Sequence, residues 1–235
     1  VPIDTGLRIE SKYFVKLLRD PVAGNMIRSL FINKQSADKL RARPKDVEKS
    51  KVTNLGMLGA GMMGSGIALV SAQAGINVVL LDSTIEGATK GKEYTEKYLE
   101  KSIALNKMTA EKAKVIIDRI HVTTDFNDLE DCDLIIEAVF ENREIKADVT
   151  EKTEKVIADS VIFASNTSTL PITGLAKASS RPKSFIGMHF FSPVERMPLV
   201  EIIMGEESSD EALAKSLDYI QQIRKTPMVI NDSRG

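Results

Sequence analysis

The feature that most constrains this chain is a glycine-punctuated turn, Gly59-Ala60-Gly61-Met62-Met63-Gly64, set between two segments of different apolar rhythm. Residues 52–58 read as a short apolar strand. After the turn, Met63, Ile67, Val70 and Ala74 recur at helical spacing. A strand that enters a G-x-G-x-x-G turn and leaves as a helix opens a βαβ unit built for a dinucleotide. Gly59 permits the sharp change of direction, Gly61 removes a side chain where backbone must approach a pyrophosphate, and Gly64 lets the helix lie close to the sheet. The helix N-terminus offers unpaired N–H groups and partial positive charge to the phosphates. Eighteen positions after Gly64, the run Ile76–Leu81 ends in Asp82. A carboxylate there accepts both ribose hydroxyls of an adenosine and repels a 2′-phosphate. Ser83 and Thr84 follow, with no Arg to reverse the preference. NAD is therefore the expected cofactor, with Gly59, Gly61, Met62, Met63, Gly64 and Asp82 as candidate contacts. The bland alternative, a glycine turn and a surface Asp without a ligand, has to explain strand, helix and spaced acid together.

From Val52 onward, strand and helix patterns alternate. Short apolar runs fall at 52–58, 76–81, 133–139, 161–164, 185–190, 199–203 and 227–230. Helical patterns fall at 62–75, 86–107, 109–118, 143–158 and 209–224, the last with a capping-box pair, Ser208 and Glu211. This predicts an α/β fold, a Rossmann-type doubly wound and mostly parallel sheet. Ahead of it, residues 11–33 read as two short helices, the second opened by Asp20 and Pro21. Residues 34–51 lose the apolar period and carry Lys34, Lys39, Arg41, Arg43, Lys45, Lys49 and Lys51, the pattern of a solvated linker. The expected division is a helical and linker segment over 1–48 and a dinucleotide domain over 49–235. Val1 is not an initiating Met, and Asn231–Gly235 offers no natural stop, so both ends read as cuts in a longer chain.

Composition narrows the partners. A net charge of -1 and only 5% aromatic residues give no footing for nucleic acid. No run of ~18 apolar residues is present to span a membrane. The single cysteine, Cys132, forms no internal disulfide and suits a reducing compartment. No metal site is expected.

A second constellation lies further along. His189, in Met188-His189-Phe190-Phe191-Ser192-Pro193, ends a strand candidate. Twelve positions later, Glu201 is flanked by Leu199, Val200, Ile202 and Ile203. A carboxylate in such company needs a partner. Together they suit oxidation of a secondary alcohol: His189 takes the hydroxyl proton and Glu201 orients the imidazole and stabilises its charged form. Alone, His189 reads as a satisfied core histidine. His121, the other histidine, reads as a strand-edge or surface residue. Ser165-Asn166-Thr167-Ser168 follows a strand candidate and would lie at the ligand edge of the sheet; it reads equally well as an Asn/Ser-rich turn.

Five motifs carry a resemblance: Gly59–Ala68, Ile136-Glu137-Ala138-Val139-Phe140-Glu141-Asn142, Ala164–Ser168, His189–Pro193 and Met197–Glu201. In this order, over roughly residues 50–235, the chain resembles the 3-hydroxyacyl-CoA dehydrogenases. The likeness is greatest to the dehydrogenase half of multifunctional fatty-acid oxidation enzymes, in which an enoyl-CoA hydratase half comes first. Residues 1–47 resemble the connection between those halves. The resemblance implies NAD-dependent oxidation of L-3-hydroxyacyl-CoA to 3-oxoacyl-CoA in β-oxidation. It implies His189 and Glu201 as the catalytic pair and Ser168 on the substrate oxygen or nicotinamide side. It also implies Glu141 and Lys146 on the nicotinamide ribose, with Ala138, Val139 and Asn166 among the cofactor contacts. An acyl-CoA substrate is implied, as is a homo-oligomer or a thiolase-associated complex, in a bacterial cytoplasm or, in a eukaryote, a mitochondrion or peroxisome. Two departures stand out: Ser192 where many members carry Asn, and Asn231–Gly235 where Pro-Gly-Phe is common. The family continues into a helical domain that closes the acyl pocket, so the isolated piece is expected to turn over acyl-CoA poorly.

Two other functions compete. A β-hydroxyacid dehydrogenase acting on a free acid shares the glycine turn but relies on a lysine in its second domain, and the His189–Glu201 pair speaks against it. A redox-silent NAD-binding module would keep the glycines and Asp82 and dispense with the pair.

Overall fold

The structure, a computed structural model, describes residues 1–233. Val1–Arg41 form one compact unit, and the chain from Ala42 onward forms a second. The first unit is helical: α1 (Ile3–Leu18), α2 (Pro21–Ile27), a π-helical stretch (Arg28–Asn33) and α3 (Lys34–Asp38). Asp20 caps α2 as its sequence predicts, accepting from the Val22 N–H at 2.9 Å, with Pro21 at the first helical position. No helical residue of this unit is buried.

The second unit is built on an eight-stranded sheet in the order β3-β2-β1-β4-β5-β6-β7-β8. The strands are β1 (Asn54–Leu58), β2 (Asn77–Leu81), β3 (Ile120–Thr123), β4 (Leu134–Glu137), β5 (Ile162–Ser165), β6 (Phe185–Phe190), β7 (Leu199–Met204) and β8 (Thr226–Asn231). The first six are parallel to one another. β7 runs antiparallel to β6, and β8 runs parallel to β7. The central strands, whose residues are nearly all buried, carry the continuous apolar runs expected of a sheet covered on both faces. β3 was not among the predicted runs. It is four residues long, mixes His and Thr with Ile and Val, and lies at the sheet edge half in solvent. Edge strands need only one buried row, so the apolar signal thins.

The crossover helices are α4 (Met62–Gln73), α5 (Ile85–Ala104), α6 (Ala110–Asp118), α7 (Arg143–Glu154), the short α8 (Ile172–Leu175) and α9 (Asp210–Gln222). α4 is buried over most of its length, with Leu69 packing against Leu99 of α5 and Ala113 of α6. A second cluster includes Leu58, Ile135, Phe163, Ile172 and Phe185, with the Phe163 and Phe185 rings stacked at 5.3 Å. Burial of each such side chain contributes about 1.5–3 kcal/mol. Cys132 lies in this cluster, where burial, then Asp133 and Asp131, push its thiol up to about 12; it is chemically quiet.

Three local expectations are corrected. α9 is capped by Ser209, whose side chain accepts from the Ala212 N–H, and not by Ser208. Ser208 instead donates to the Phe185 carbonyl at 2.6 Å and accepts from the Gly205 N–H at 3.0 Å. α7 ends at Glu154, short of 158. The basic stretch is not uniformly solvated: Lys34 opens α3, and the Arg43 guanidinium is inside the second unit, donating to both Asp218 oxygens at 2.7 and 2.9 Å. Ser50 adds its N–H to the same carboxylate at 2.9 Å. His121, as expected, lies on the edge strand with its side chain 67% exposed.

Candidate functional site

β1 and β2 lead to one side of the sheet and β4 to β8 to the other, so the chain's direction across the sheet reverses between β1 and β4. Ligands of open α/β sheets bind beyond the carboxyl ends of the strands at such a point. The glycine turn stands there. Gly59 has φ +91, and a Cβ on it would lie 2.7 Å from the Ala138 carbonyl oxygen. A Cβ on Gly64 would lie 1.8 Å from the Gly59 carbonyl oxygen, so α4 meets β1 only because no side chain intervenes. Gly61 differs: it is the N-cap of α4, makes no side-chain cap bond, and has nothing within 4 Å of the position its Cβ would take. The open space before an uncapped helix N-terminus fits a dinucleotide pyrophosphate. Asp82 follows β2 and is tied to the turn, Oδ2 accepting from the Ala60 N–H at 2.7 Å and Oδ1 from the Ser83 N–H at 2.7 Å. Oδ1 also accepts from the Ser83 hydroxyl at 3.1 Å, so it is Oδ2 that keeps a second acceptor site for a ribose hydroxyl.

Across the switch point, a cavity of about 350 Å³ gathers Met63, Ala138, Val139, Glu141, Asn166, Ser168 and His189, with Phe190, Phe191 and Ser192. Residues read from four separate sequence segments thus share one space. Glu201 stands behind His189: antiparallel pairing of β6 and β7 sets the two residues directly opposite, and Nδ1 of His189 lies 2.8 Å from Oε2 of Glu201. Their side chains are 18% and 25% exposed. Because the carboxylate only accepts, Nδ1 carries the hydrogen and Nε2 is left with its lone pair. The Phe191 ring flanks the imidazole at 4.6 Å. Asn166 accepts from the Phe190 N–H at 2.9 Å, which joins the end of β5 to the end of β6. Ser192 lines the cavity with its hydroxyl 3.7 Å from the Met62 sulfur.

Glu141 accepts from the Thr167 hydroxyl at 2.5 Å, the Thr169 hydroxyl at 3.2 Å and the Ser168 N–H at 3.3 Å. Burial by itself would push this carboxyl up; the Thr167 hydroxyl and the Lys146 ammonium, with Thr169, outweigh it and hold the group below the usual range. Lys146 is turned inward, its side chain 2% exposed, between Glu137 at 2.8 Å and Glu141 at 3.3 Å. It borders the cavity through Glu141 and not by its own ammonium.

Two residues escaped sequence reasoning. Glu137 is 1% exposed and ends β4. It sits after Ile135 and Ile136 and before Ala138, the same acid-among-apolar signal that singled out Glu201. Lys225 donates to the carbonyls of Val194 at 2.5 Å and Met197 at 2.6 Å, fixing the loop that follows Ser192. Burial draws its ammonium below the ordinary lysine value, only partly offset by Glu195. No sequence signal marks a lysine whose partners are carbonyls.

Comparison with known proteins identifies the family and the fold. Residues 54–233 match the family described as 3-hydroxyacyl-CoA dehydrogenase, NAD binding domain. The chain is 39% identical over its 235 residues to the fatty acid oxidation complex subunit alpha of Psychrobacter arcticus, covering 100% of this chain and 32% of that protein. It thus spans about a third of the length of that curated relative. The crystal structure of (S)-3-hydroxybutyryl-CoA dehydrogenase from Ralstonia eutropha superposes with a TM-score of 0.76 at 37% identity, over 78% of this chain and 65% of that one. The dehydrogenase part of multifunctional enzyme 1 from C. elegans does so with a TM-score of 0.72 at 26% identity, over 85% and 48%. Among the described residues, no helix is long and apolar enough to cross a membrane.

Proposed function

This chain belongs to the 3-hydroxyacyl-CoA dehydrogenase NAD-binding-domain family, and from that premise we propose that it supplies the cofactor site and the acid–base pair for oxidation of L-3-hydroxyacyl-CoA to 3-oxoacyl-CoA. The observation that carries the reading is the His189–Glu201 pair at 2.8 Å, whose imidazole opens onto the same cavity as Glu141, Asn166 and Ser168. NAD, when bound, supplies the hydride acceptor. Gly61 and the first turn of α4 receive its pyrophosphate, and Asp82 receives the adenine ribose. Ala138, Val139, Glu141 and Asn166 border its nicotinamide end.

His189 takes the hydroxyl proton on Nε2 as the carbon–hydrogen bond breaks, and the resulting imidazolium is held by Glu201 across Nδ1. Ser168 donates to the substrate oxygen. In the reverse direction, imidazolium returns the proton to the alkoxide that forms. The unit from Ala42 onward serves as the cofactor domain, its boundary drawn ahead of residue 49 by the Arg43–Asp218 pair, and Val1–Arg41 join it to a preceding domain. We further propose that the polypeptide works in a fatty-acid-oxidising assembly, homo-oligomeric or thiolase-associated, in a bacterial cytoplasm; the description of the Psychrobacter relative as a complex subunit supports this.

Calorimetric titration of the chain with NADH and NADPH tests the cofactor half, and NADH is expected to bind at least tenfold more tightly, about 1.4 kcal/mol. NADH oxidation with acetoacetyl-CoA and with free acetoacetate, measured in the longest polypeptide containing the chain, tests the rest. Turnover of the thioester alone supports the proposal. Turnover of the free acid moves the protein to the β-hydroxyacid dehydrogenases, and NADH binding with no turnover of either marks a redox-silent module.

A further inference from the structure

Glu137 is more deeply buried than either member of the His189–Glu201 pair, yet the acid–base chemistry leaves it unused. Both of its oxygens are fully engaged. Oε1 accepts from the Val139 N–H at 2.7 Å and from Lys146 Nζ at 2.8 Å. Oε2 accepts from the Ser165 hydroxyl at 2.7 Å and from Lys146 Nζ at 3.1 Å. Three of these four contacts come from groups that only donate, so the arrangement suits a carboxylate and not the acid. Lys146 is equally committed, its remaining approach being to Oε2 of Glu141 at 3.3 Å. Two carboxylates therefore share one ammonium, and the cluster carries one net negative charge. Only Glu141 among the three lines the cavity that contains His189.

Stability does not account for this arrangement. A buried ion pair gains little over apolar packing of the same volume, because desolvation consumes most of the attraction. An ion pair of Lys146 with Glu141 alone would also be neutral, and Glu137 supplies the odd charge. The nicotinamide ring is cationic when oxidised and neutral once it has accepted hydride. A fixed negative charge beside its site favours the first form over the second.

We propose that Glu137 is a positioning residue that fixes Lys146 and Glu141 and makes their cluster net negative, so that the site holds NAD+ more tightly, relative to NADH, than it otherwise would. The inference rests on the reading of this cavity as the nicotinamide end of the cofactor site. The same contacts join the end of β4 to the Ala138–Val139 backbone, which touches the glycine turn, and to Ser165, which precedes Asn166. The charge is thereby held at a set place relative to both halves of the site.

The test is separate calorimetric titration of the full 235-residue chain with NAD+ and with NADH, at low and fixed ionic strength. Glu137→Gln, which neutralises the cluster, is expected to raise the ratio Kd(NAD+)/Kd(NADH) by about tenfold, the scale of one unit charge at ~10 Å and an effective dielectric near 20. Lys146→Met leaves two carboxylates with no cation between them, so the buried one takes up a proton, one negative charge remains, and the ratio is expected to stay within about twofold of the unmutated value. The double variant also carries one negative charge and is expected to keep that ratio. Loosened packing weakens both forms alike and cannot move the ratio in Glu137→Gln alone. A ratio unmoved in a cooperatively melting Glu137→Gln, or moved about tenfold in Lys146→Met, overturns the proposal while leaving the cofactor site standing. Failure of the unmutated chain to bind either form removes the cofactor-site reading itself, and this inference with it.

Discussion

Adding one methyl group at Gly61 and, separately, at Gly64 has very unequal consequences for stability in this structure. Gly61 has φ -66 and ψ -171, an extended conformation open to alanine, and nothing lies within 4 Å of the added carbon. Gly61→Ala narrows the unfolded ensemble without straining the folded one, a gain of about 0.4–1 kcal/mol, but Gly61 is an N-cap, where alanine is worse than glycine by a similar amount. The two effects offset, and Tm is expected to move by less than roughly 4 °C. At Gly64 the new carbon would lie 1.8 Å from the Gly59 carbonyl oxygen, and that oxygen belongs to the turn backbone, not to a side chain that could swing aside. The two must separate by more than an ångström, and destabilisation of about 3 kcal/mol or more is expected, a fall in Tm of roughly 6–12 °C. Binding separates the two positions again. The methyl on Gly61 occupies the space before the α4 N-terminus that a pyrophosphate needs, and hydrogen bonds to a charged partner are each worth about 1.5–3 kcal/mol. Gly61→Ala should therefore weaken NADH on the order of 100-fold while melting close to the unmutated chain. Thermal melts and calorimetric titration of both variants read the two effects independently. If Gly61→Ala binds NADH as tightly as the unmutated chain, the turn is only a turn, and the reasoning from open space to cofactor is wrong.

His189→Ala should lower kcat by ~10²–10⁴, the range for a lost general base, and Glu201→Gln by roughly 10- to 100-fold with NADH affinity unchanged, as steady-state kinetics would show. Lys225→Met removes the donor from the Val194 and Met197 carbonyls; a loss of about 1–3 kcal/mol in urea unfolding is expected, with faster proteolysis of the 193–198 loop. Asp218 predicts acid sensitivity. Burial alone would raise its carboxyl, but donation from Arg43 and then Ser50 outweighs this and holds it below the ordinary aspartate value. Its contribution is therefore complete above that value and disappears as pH falls through the lower, folded-state one. Asp218→Asn should cost about 3 kcal/mol at pH 7, because both partners are nearly buried, and should flatten the stability loss below pH ~4 in denaturant melts.

What could be read from the sequence was what local spacing encodes. The glycine turn, Asp82 and the apolar runs of the central strands each declare themselves within twenty residues, because a βαβ unit is assembled from neighbours in the chain. The strand at the edge did not, since four residues of which only Ile120 and Thr123 are buried carry too little apolar contrast. Partners far apart in the chain were equally silent. Arg43 meets Asp218 across 175 positions, and as part of a basic run it looks like any solvated cation. Lys146 was legible as a residue of interest, but its direction was not. That depends on Glu137, whose apolar neighbours mark it as an acid in need of a partner but do not say that the partner is Lys146 nine positions on. Ser208 and Ser209 illustrate the finest scale: either can cap α9, and the choice follows from Ser208 being engaged by the Phe185 carbonyl.

The His189–Glu201 pair could be named from composition around each residue, but its geometry follows from the one reversal in the sheet. β6 delivers His189 to the carboxyl edge, where ligands bind. A parallel successor would begin at the far edge and bring its own carboxyl end up only after a crossover. β7 instead turns back through residues 191–198 and begins at the ligand edge, so its third residue, Glu201, stands opposite His189. The loop that makes the reversal is thus forced to lie over the site. Val194 of that loop is packed where Gly66 leaves room, since a Cβ on Gly66 would lie 2.8 Å from the Val194 Cβ. Lys225 grips its carbonyls from the start of β8. The helix proposed to receive the pyrophosphate and the strand proposed to carry the base are consequently held to each other by one short loop. On that proposal, a change in the loop is expected to act on cofactor placement and proton transfer together, even where no altered atom touches either ligand.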